Sequence, residues 1–298
     1  MTEYRSYYGR PILKEPVWKP EIPWYFFTGG LSGATSSLAA AARLSGNEVL
    51  ARRALLVAAG ASAVNPLLLV KDLGRPRRFL NMLRVFKVTS PMSVGSWIVA
   101  THGASTIFAA ACEVLDILPR LRATAQAASA LLGLGMSTYT GALVADTSVP
   151  VWHDARRELP FVFGSGAAMT AGAAGVIATP AWAAGPARAL ALSGAAGELV
   201  SLKVMQRRLG PLVGEPYHQG ECSRYAMLGK GLTLAGAAII GVAGRKRAGA
   251  VLGGALILGG GAFGRWSVFK AGFASARDPK YTVIPQRARL AARAAPDA

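Results

Sequence analysis

Cysteine and histidine are scarce in this sequence. Its 298 residues include two cysteines, Cys112 and Cys222, which form no CxxC pair. An iron–sulfur cluster normally needs a full set of cysteine thiolates, so the chain is not expected to hold such a cluster by itself. Of the three histidines only His102 falls inside an apolar segment, whereas haem ligation across helices needs several. The sequence therefore predicts no haem, no iron–sulfur cluster and no metal site in this chain.

Charged residues are also few. They make up 16% of the chain, whereas soluble domains carry about 25%. The hydrophobic fraction is 52%, and 35 glycines suit membrane helices that pack through small residues. The formal charge of +18 suggests nucleic acid at first, but the basic residues stand in short clusters between apolar runs, and no nucleic-acid-binding motif is present. The composition predicts a protein whose partners include the lipid bilayer but not nucleic acid.

Long apolar runs predict an all-α membrane domain of about eight transmembrane helices over residues 23–268. Residues 1–22 form a proline-rich N-terminal arm that does not fit a signal peptide, with Trp18 and Trp24 expected at the membrane interface. Residues 269–298 form a basic C-terminal tail. Loops on the side of the two termini carry most of the basic residues, which places the arm and the tail in the cytoplasm. The approximate spans are 24–42, 51–70, 92–113, 123–146, 161–179, 186–205, 226–243 and 248–268.

The segment 71–97, KDLGRPRRFLNMLRVFKVTSPMSVGSW, connects the second and third predicted spans. Two breakers, Gly74-Arg75-Pro76 and Ser90-Pro91, indicate that a loop interrupts the helices here. Its basic residues are typical of a cytoplasmic loop that only fixes topology. The alternative is that Arg75, Arg77 and Arg78 also dock a partner protein.

Few ionisable side chains fall within the predicted spans, and each is a functional candidate because a charge is costly there. His102 lies in the third span, Asp146 ends the fourth and Glu198 lies in the sixth. Tyr139 precedes Asp146 by nearly two helical turns and shares its helix face. The side chains that share the cytoplasmic half in the predicted orientation are Trp24, Thr28, Asn65, Tyr139, Asp146 and Glu198.

A structural role is the alternative for each of these groups. Polar side chains often only join transmembrane helices, so Glu198 could pair with Lys203, and Asp146 could lie at the membrane surface. The literal GxGxxG match at residues 259–264 lies inside an apolar span and follows no strand. We interpret it as packing glycine rather than as a dinucleotide site.

Several motifs together resemble the NrfD-type family, the integral membrane subunits of polysulfide-reductase-like complexes. They are the loop DLGRPRRF at residues 72–79, the following TSPMSVGSW at 89–97, Tyr139-Thr140-Gly141 with Val149-Pro150-Val151-Trp152 downstream, and the aromatic, glycine-rich opening of the first span. The resemblance runs from about residue 24 to about residue 287, and its specific part is the loop.

The resemblance implies a haem-free protein of eight helices arranged as two four-helix bundles. It implies a quinone or quinol bound near one membrane face, a ferredoxin-like partner subunit with [4Fe–4S] clusters, and a molybdopterin-type catalytic subunit beyond it. Tyr139 is the position that the resemblance carries over to this chain most directly. The family's usual polar groups in the first helix are represented here only by Thr28 and Ser32.

We therefore interpret the chain as a bacterial inner-membrane subunit that anchors an oxidoreductase, such as a formate dehydrogenase, and passes electrons between its iron–sulfur partner and a menaquinone or ubiquinone pool. Trp24, Thr28, Asn65 and Tyr139 would hold the quinone. Proton-relay candidates are His102, Asp146 and Glu198.

Two alternatives remain open. A secondary transporter would use Asp146 and Glu198 as coupling carboxylates, although the loop motif has no second copy of the kind that transporter repeats produce. A purely structural anchor would have lost its quinone site.

Overall fold

The computed structural model describes residues 12–75 and 77–294, and for Ala294 only the backbone. Within these residues the protein is helical and has no strand. The eight long helices are α1 Glu21–Leu44, α2 Glu48–Leu73, α4 Pro91–Leu115, α5 Pro119–Ala145, α7 Leu159–Ala178, α8 Gly185–Val213, α9 Gly220–Ala243 and α10 Arg247–Arg277. The shorter helices are α3 Arg77–Asn81, α6 Pro150–Asp154, α11 Lys280–Ala294 and a 3-10 turn at Glu215–His218.

The ends of the helices follow local sequence signals. Gly74 closes α2 with a φ of 68°, a conformation that glycine adopts without strain. The backbone amide of Ser93 donates to the hydroxyl of Ser90, and Pro91 occupies the first turn of α4. The two breakers in the loop are therefore the end of one long helix and the start of the next, with α3 between them.

The long helices pack in two sets. In the first helix group α1 packs against α2 and α5, and α4 also packs against α2 and α5. In the second helix group α7 packs against α8 and α10, and α9 also packs against α8 and α10. Helix α7 also contacts α1 and α5, so it joins the two groups. Small residues allow this closeness: a side chain at Gly33 of α1 would collide with the carbonyl of Gly133 on α5.

Six helices are long and apolar enough to cross a membrane: α2, α4, α5, α7, α9 and α10. The chain is therefore a multi-pass membrane protein. Helices α1 and α8 do not reach that apolar threshold. Helix α1 is rich in serine and threonine and is packed against α2, α5, α7 and α10 rather than exposed on all sides. Helix α8 carries Glu198 and several basic residues.

The N-terminal arm and the C-terminal segment meet at one end of the bundle. The indole of Trp18 stacks on that of Trp152 with ring centroids 5.3 Å apart, and the Nε of Arg277 lies 2.9 Å from Oε1 of Glu15. The amide of Lys19 donates to Asp72. The arm is thus bound to α2, α6 and the end of α10. Its residues 1–11 lie outside the described part of the chain.

The C-terminal segment is more helical than a polar tail would be. Helix α10 continues beyond residue 268, where the last predicted span ended, and Phe269, Ala271 and Ala276 are buried in it. Helix α11 follows, and the Nζ of Lys280 lies 2.8 Å from Oε2 of Glu215. The hydrogen bond and the charge of Lys280 hold the pKa of Glu215 below its ordinary value. This contact fixes the start of α11 to the 3-10 turn.

Candidate functional site

A hydrogen-bonded network joins α1 to α2 near one end of the first helix group. The hydroxyl of Thr28 lies 2.7 Å from Oδ1 of Asn65, to which it can donate. The side-chain amide of Asn65 donates to the hydroxyl of Ser32 at 3.3 Å. Asn65 is only 2% exposed. Thr28 and Asn65, two of the predicted quinone ligands, are therefore in direct contact.

Tyr139 lies at the same end of the group, on α5. Its ring packs against Gly95 of α4, where any Cβ would collide with the ring. The hydroxyl of Tyr139 has no hydrogen-bond partner among the described residues. Gly95, Thr28, Asn65 and Tyr139 each lie within about two turns of the helix end that faces the arm and the loop after α2.

Tyr25 brings a second phenol to this region. Its side chain is 2% exposed, and its buried hydroxyl has no partner in the described part of the chain. The ring lies near Gly29 and Met136, at the contact between α1 and α5, and belongs to the same apolar cluster as Tyr139. A buried hydroxyl without a partner is costly, so this one is available to a ligand.

Trp24 is placed differently. It is 46% exposed, and its ring stands edge-on to Trp266 of α10 with centroids 6.3 Å apart. Trp266 in turn stacks on Tyr225 of α9. Trp24 therefore lies at the outer seam between α1 and the second helix group, one turn before Thr28 along α1.

His102 occupies the centre of the first helix group. Its Nε2 lies 3.1 Å from the hydroxyl of Ser36 and 3.4 Å from that of Thr106. The Thr106 and Ser129 hydroxyls are 2.6 Å apart, which extends the network to α5. Gln126 precedes Ser129 by three residues on α5 and is buried. Neither the oxygen nor the nitrogen of its side-chain amide has a hydrogen-bond partner among the described residues. The histidine is thus held by hydroxyls rather than by charges.

Asp146 lies at the end of α5 and is exposed. It caps the helix through its backbone amide, and the structure shows no ion pair to it from the described residues. This placement agrees with the alternative that Asp146 lies at the membrane surface. It also leaves the carboxylate accessible from the end of the bundle that carries Tyr139.

Glu198 lies apart from both of these, inside the second helix group. It is 4% exposed, and its Oε1 lies 3.8 Å from Nη1 of Arg265 on α10. Arg265 donates to the carbonyls of Val162 and Phe163 and stands over the Phe163 ring, 4.4 Å from its centroid. Glu198 therefore faces Arg265, not Lys203, which is exposed. The three proton-relay candidates do not form one site.

Arg75, Arg77 and Arg78 are exposed in the loop after α2, and they make no ion pair with the residues that the structure describes. Apolar side chains of the same loop are exposed beside them: Leu80 is 67% exposed, and Val88 is 76% exposed. A loop with free guanidinium groups and uncovered apolar side chains is available to a partner surface.

Sequence reasoning missed Arg265 and Tyr25. Arg265 stood near the end of the last predicted span and was counted with the basic residues of the tail. The signal that could have found it is a single arginine flanked by apolar residues and paired with a single buried glutamate. Tyr25 precedes Thr28 by about one turn, but no spacing rule indicates that its hydroxyl lacks a partner.

These residues can serve a quinone headgroup. Carbonyl oxygens accept hydrogen bonds, and this end of the first helix group carries two hydroxyls without a partner among the described residues, those of Tyr25 and Tyr139, and the side-chain amide of Asn65. The side chains packed around Tyr25 and Tyr139 are mostly aromatic and apolar, like those that line ligand sites. No group of three or more His, Cys, Asp and Glu side chains in the described residues is placed to hold a metal ion.

Comparison with known protein families gives one match. A family model described as "Polysulphide reductase, NrfD" matches residues 13–240, which include the arm from Leu13, the whole first helix group and α7 to α9. No curated protein matches the chain. Because the match extends over most of its length, the chain belongs to the NrfD, or polysulphide reductase, family.

Proposed function

We propose that this chain is the quinone-reactive membrane subunit of an oxidoreductase and passes electrons between an iron–sulfur partner and the quinone pool. Family membership itself implies the coarser statement, a membrane subunit of a quinone-interacting redox complex with iron–sulfur and molybdopterin partners. The finer proposal is that all eight long helices cross the bacterial cytoplasmic membrane as two four-helix bundles. Both termini then lie in the cytoplasm, where most of the basic loop residues also lie.

One observation carries the proposal. The unpaired phenols of Tyr25 and Tyr139 and the Thr28–Asn65 pair lie at the end of the first helix group that also carries the exposed Arg75 loop. Hydrogen-bond donors for a quinone and a docking surface for an electron donor are thus at the same end of one bundle. Electron transfer between a partner cluster and a bound headgroup requires that closeness.

Each side chain has a task that follows from its chemistry. A bound quinone, menaquinone or ubiquinone, would supply the redox chemistry of two electrons and two protons. Tyr139 donates to one carbonyl oxygen while its ring, fixed against Gly95, limits how the headgroup can lie. Asn65 accepts from Thr28 and donates one amide hydrogen to Ser32, so its second amide hydrogen would be the donor to the other carbonyl oxygen. Trp24 borders the route from the lipid at the outer seam.

Protons must reach the quinone from water. Asp146 is exposed at the end of α5, beyond Tyr139 on the same helix, so it can take a proton from the aqueous side. His102 lies deeper and is joined by hydroxyls to α1 and α5. We propose Asp146 as the entry of the relay and His102 as its inner member. Glu198 lies in the other helix group and is assigned separately below.

The test is Tyr139→Phe in the assembled complex. This change keeps the ring and removes only the hydroxyl, so the fold is retained and one hydrogen bond to the headgroup is lost. Loss of such a bond in a desolvated site is worth about 1–3 kcal/mol, which corresponds to a roughly 5- to 150-fold lower quinone-linked turnover. Electron transfer to an artificial dye that reacts directly with the iron–sulfur partner should be unchanged.

Tyr225→Phe is the matched control, because Tyr225 is a half-buried phenol on α9 in the second helix group. It should turn over quinone at the wild-type rate. Wild-type quinone turnover in Tyr139→Phe would place the quinone elsewhere. A loss with quinone and with dye together would show that the change damages assembly rather than the site.

A further inference from the structure

The carboxylate of Glu198 lacks the hydrogen bonds that a buried carboxylate needs. Its side chain is 6% exposed, and the nearest cation, Nη1 of Arg265, lies at 3.8 Å, beyond hydrogen-bond distance. The guanidinium of Arg265 instead donates to the backbone of α7, where its Nη2 lies 3.0 Å from the carbonyl oxygen of Phe163. Glu198 makes no other hydrogen bond within the part of the chain that the structure describes. If the ion pair served only to stabilise the fold, the guanidinium and the carboxylate would be expected to lie within hydrogen-bond distance of each other.

Glu198 faces a small cavity inside the second helix group. The cavity has a volume of about 20 Å³ and lies between α8, α9, α10 and the 3-10 turn. A space of about 10–15 Å³ suffices for one water molecule if several polar groups line it. The polar side chains on its wall are Glu198, Gln206, Tyr217, Lys230, Thr233 and Ser267.

A second group on the wall also needs a partner. The hydroxyl of Tyr217 is buried and has none among the described residues. Tyr217 reaches this place because α8 breaks at Gly210, whose φ of 70° favours glycine, with Pro211 after it. After the break the chain continues into the 3-10 turn, which lies over the space between α8 and α9. Water in the cavity can therefore bond to the Glu198 carboxylate, which lacks a hydrogen-bond partner.

Gln206 and Lys230 are half-buried on the cavity wall, with Nζ of Lys230 3.4 Å from Oε1 of Gln206. Gln206 lies about two turns nearer the end of α8 than Glu198 does. Glu198 lies roughly 20 Å along α8 from its end at Val213, so a water path is needed to reach it from that side. The charged or titratable groups that face the site are Arg265 from α10, Lys230 from α9 and Tyr217 from the 3-10 turn. Helix α7 contributes only Gly166, where a Cβ would collide with Glu198 and Arg265.

We propose that Glu198 is a proton-binding site in the second helix group, loaded through water in this cavity from the end at which α8 terminates. A proton from that aqueous face passes along the water to a Glu198 carboxylate oxygen and forms the neutral acid, and it returns by the same path. Two basic side chains at the cavity disfavour a metal cation as the occupant. This inference deepens the relay of the proposed function, since it gives Glu198 a site of its own, away from Tyr139.

The test is infrared difference spectroscopy of the whole complex as the pH is changed, which needs no quinone. We expect a carboxylic acid C=O band that appears as the pH falls, shifts in D2O and is absent in Glu198→Gln. The absence of any band that Glu198→Gln removes, or a band that does not shift in D2O, would overturn the proposal. Because no turnover is measured, this result is independent of whether Tyr139 binds quinone.

Glu198→Gln leaves Arg265 without its carboxylate. If that variant does not assemble, a second variant takes its place in the test. Gln206→Leu keeps Glu198 and removes one polar wall of the entry, so the band should persist while its deuterium shift appears more than about tenfold more slowly. Lys203→Met, an exposed cation on the same helix, is the control and should exchange at the wild-type rate. Equal exchange in Gln206→Leu and Lys203→Met would contradict loading through this cavity.

Discussion

Trp152 is tightly packed where the N-terminal arm meets the helix bundle. Its side chain is completely buried, and its Nε1 donates to the carbonyl of Val268 at 2.8 Å. Trp18 stacks on one face of the indole, and Gly272 lies so close to the ring that any Cβ would overlap it. Since interiors tolerate little added volume, a single methyl group at Gly272 must move the indole.

Gly272→Ala should therefore destabilise the protein by about 1–3 kcal/mol. Thermal denaturation of the purified protein in detergent, followed by the fraction that remains soluble and folded, measures this as a lower midpoint. Gly231→Ala is the matched control, because a Cβ there meets no atom within 4 Å. It should be neutral or stabilising by up to about 1 kcal/mol through helix propensity. Equal midpoints for the two variants would mean that α10 yields and Trp152 is not tightly held.

The residues of the candidate site were only partly predictable. Thr28 and Asn65 could be assigned to the same half of the membrane from their depth in two spans, and the structure brings them to 2.7 Å. Depth does not say which helices are neighbours, so Glu198 was given Lys203 as its pairing candidate instead of Arg265. Spacing relates residues along one helix, whereas the partner of a buried charge depends on how the helices pack.

Among the elements, the loop between α2 and α4 presents a cluster of exposed positive charge. Its guanidinium groups have no carboxylate partner in the described residues, unlike Arg43 and Arg122, which both pair with Glu113 at the other end of the first helix group. Unpaired exposed cations beside exposed apolar side chains are typical of a surface that a partner covers.

Charge reversal tests whether this loop docks the iron–sulfur partner. If it does, at least one of Arg75→Glu, Arg77→Glu and Arg78→Glu should weaken co-purification of the partner, and the difference from wild type should be largest at low salt, because salt screens the interactions that the reversal changes. Arg53→Glu is the control, since Arg53 is exposed on α2 at its opposite end. Undiminished co-purification of all three variants at low and high salt would leave the loop only its topological role.

Helices α1 and α8 show the limit of predicting transmembrane helices from hydropathy. The sequence placed spans at residues 24–42 and 186–205, and long helices are present there. Neither is apolar enough to qualify as a span on its own, because α1 is buried among other helices and α8 carries the glutamate that faces Arg265. A helix surrounded by protein can be polar, and hydropathy alone cannot separate it from a soluble helix. The short α6 and the continuation into α11 gave no hydropathy signal at all.

At the scale of the whole molecule, the orientation in the membrane is the next prediction to test. The arm, the loop after α2, the turn before α9 and α11 all lie at one end, and most basic residues lie there with them. A reporter fused after residue 298 should therefore be active only as a cytoplasmic reporter. A fusion in the short connection between α4 and α5 should give the opposite result. A periplasmic signal from the C-terminus would put the docking loop on the wrong side for a cytoplasmic partner.

The global architecture was largely predictable because a membrane restricts it. The multi-pass helical architecture follows from the length of the apolar runs, whereas the orientation stays a prediction from the distribution of charge. The pairing of helices into two groups, and the role of α7 between them, depends instead on small contacts such as that of Gly33 with Gly133. Those contacts depend on the shapes of the helix surfaces. With 35 glycines in the chain, the sequence does not indicate which of them form helix contacts.

The bond between Glu15 and Arg277 has a consequence for how the protein is made. Its two residues are 262 positions apart, so this contact can form only after nearly all of the chain has been synthesised. Until then Trp18 lacks Arg277 beside the arm. Before α6 forms, it also lacks the indole of Trp152 on which it stacks. A chain halted before α10 would keep only the earlier contacts of the arm, that of Lys19 with Asp72 and that of Trp18 with Trp152. The contact with Arg277 is added once α10 is complete.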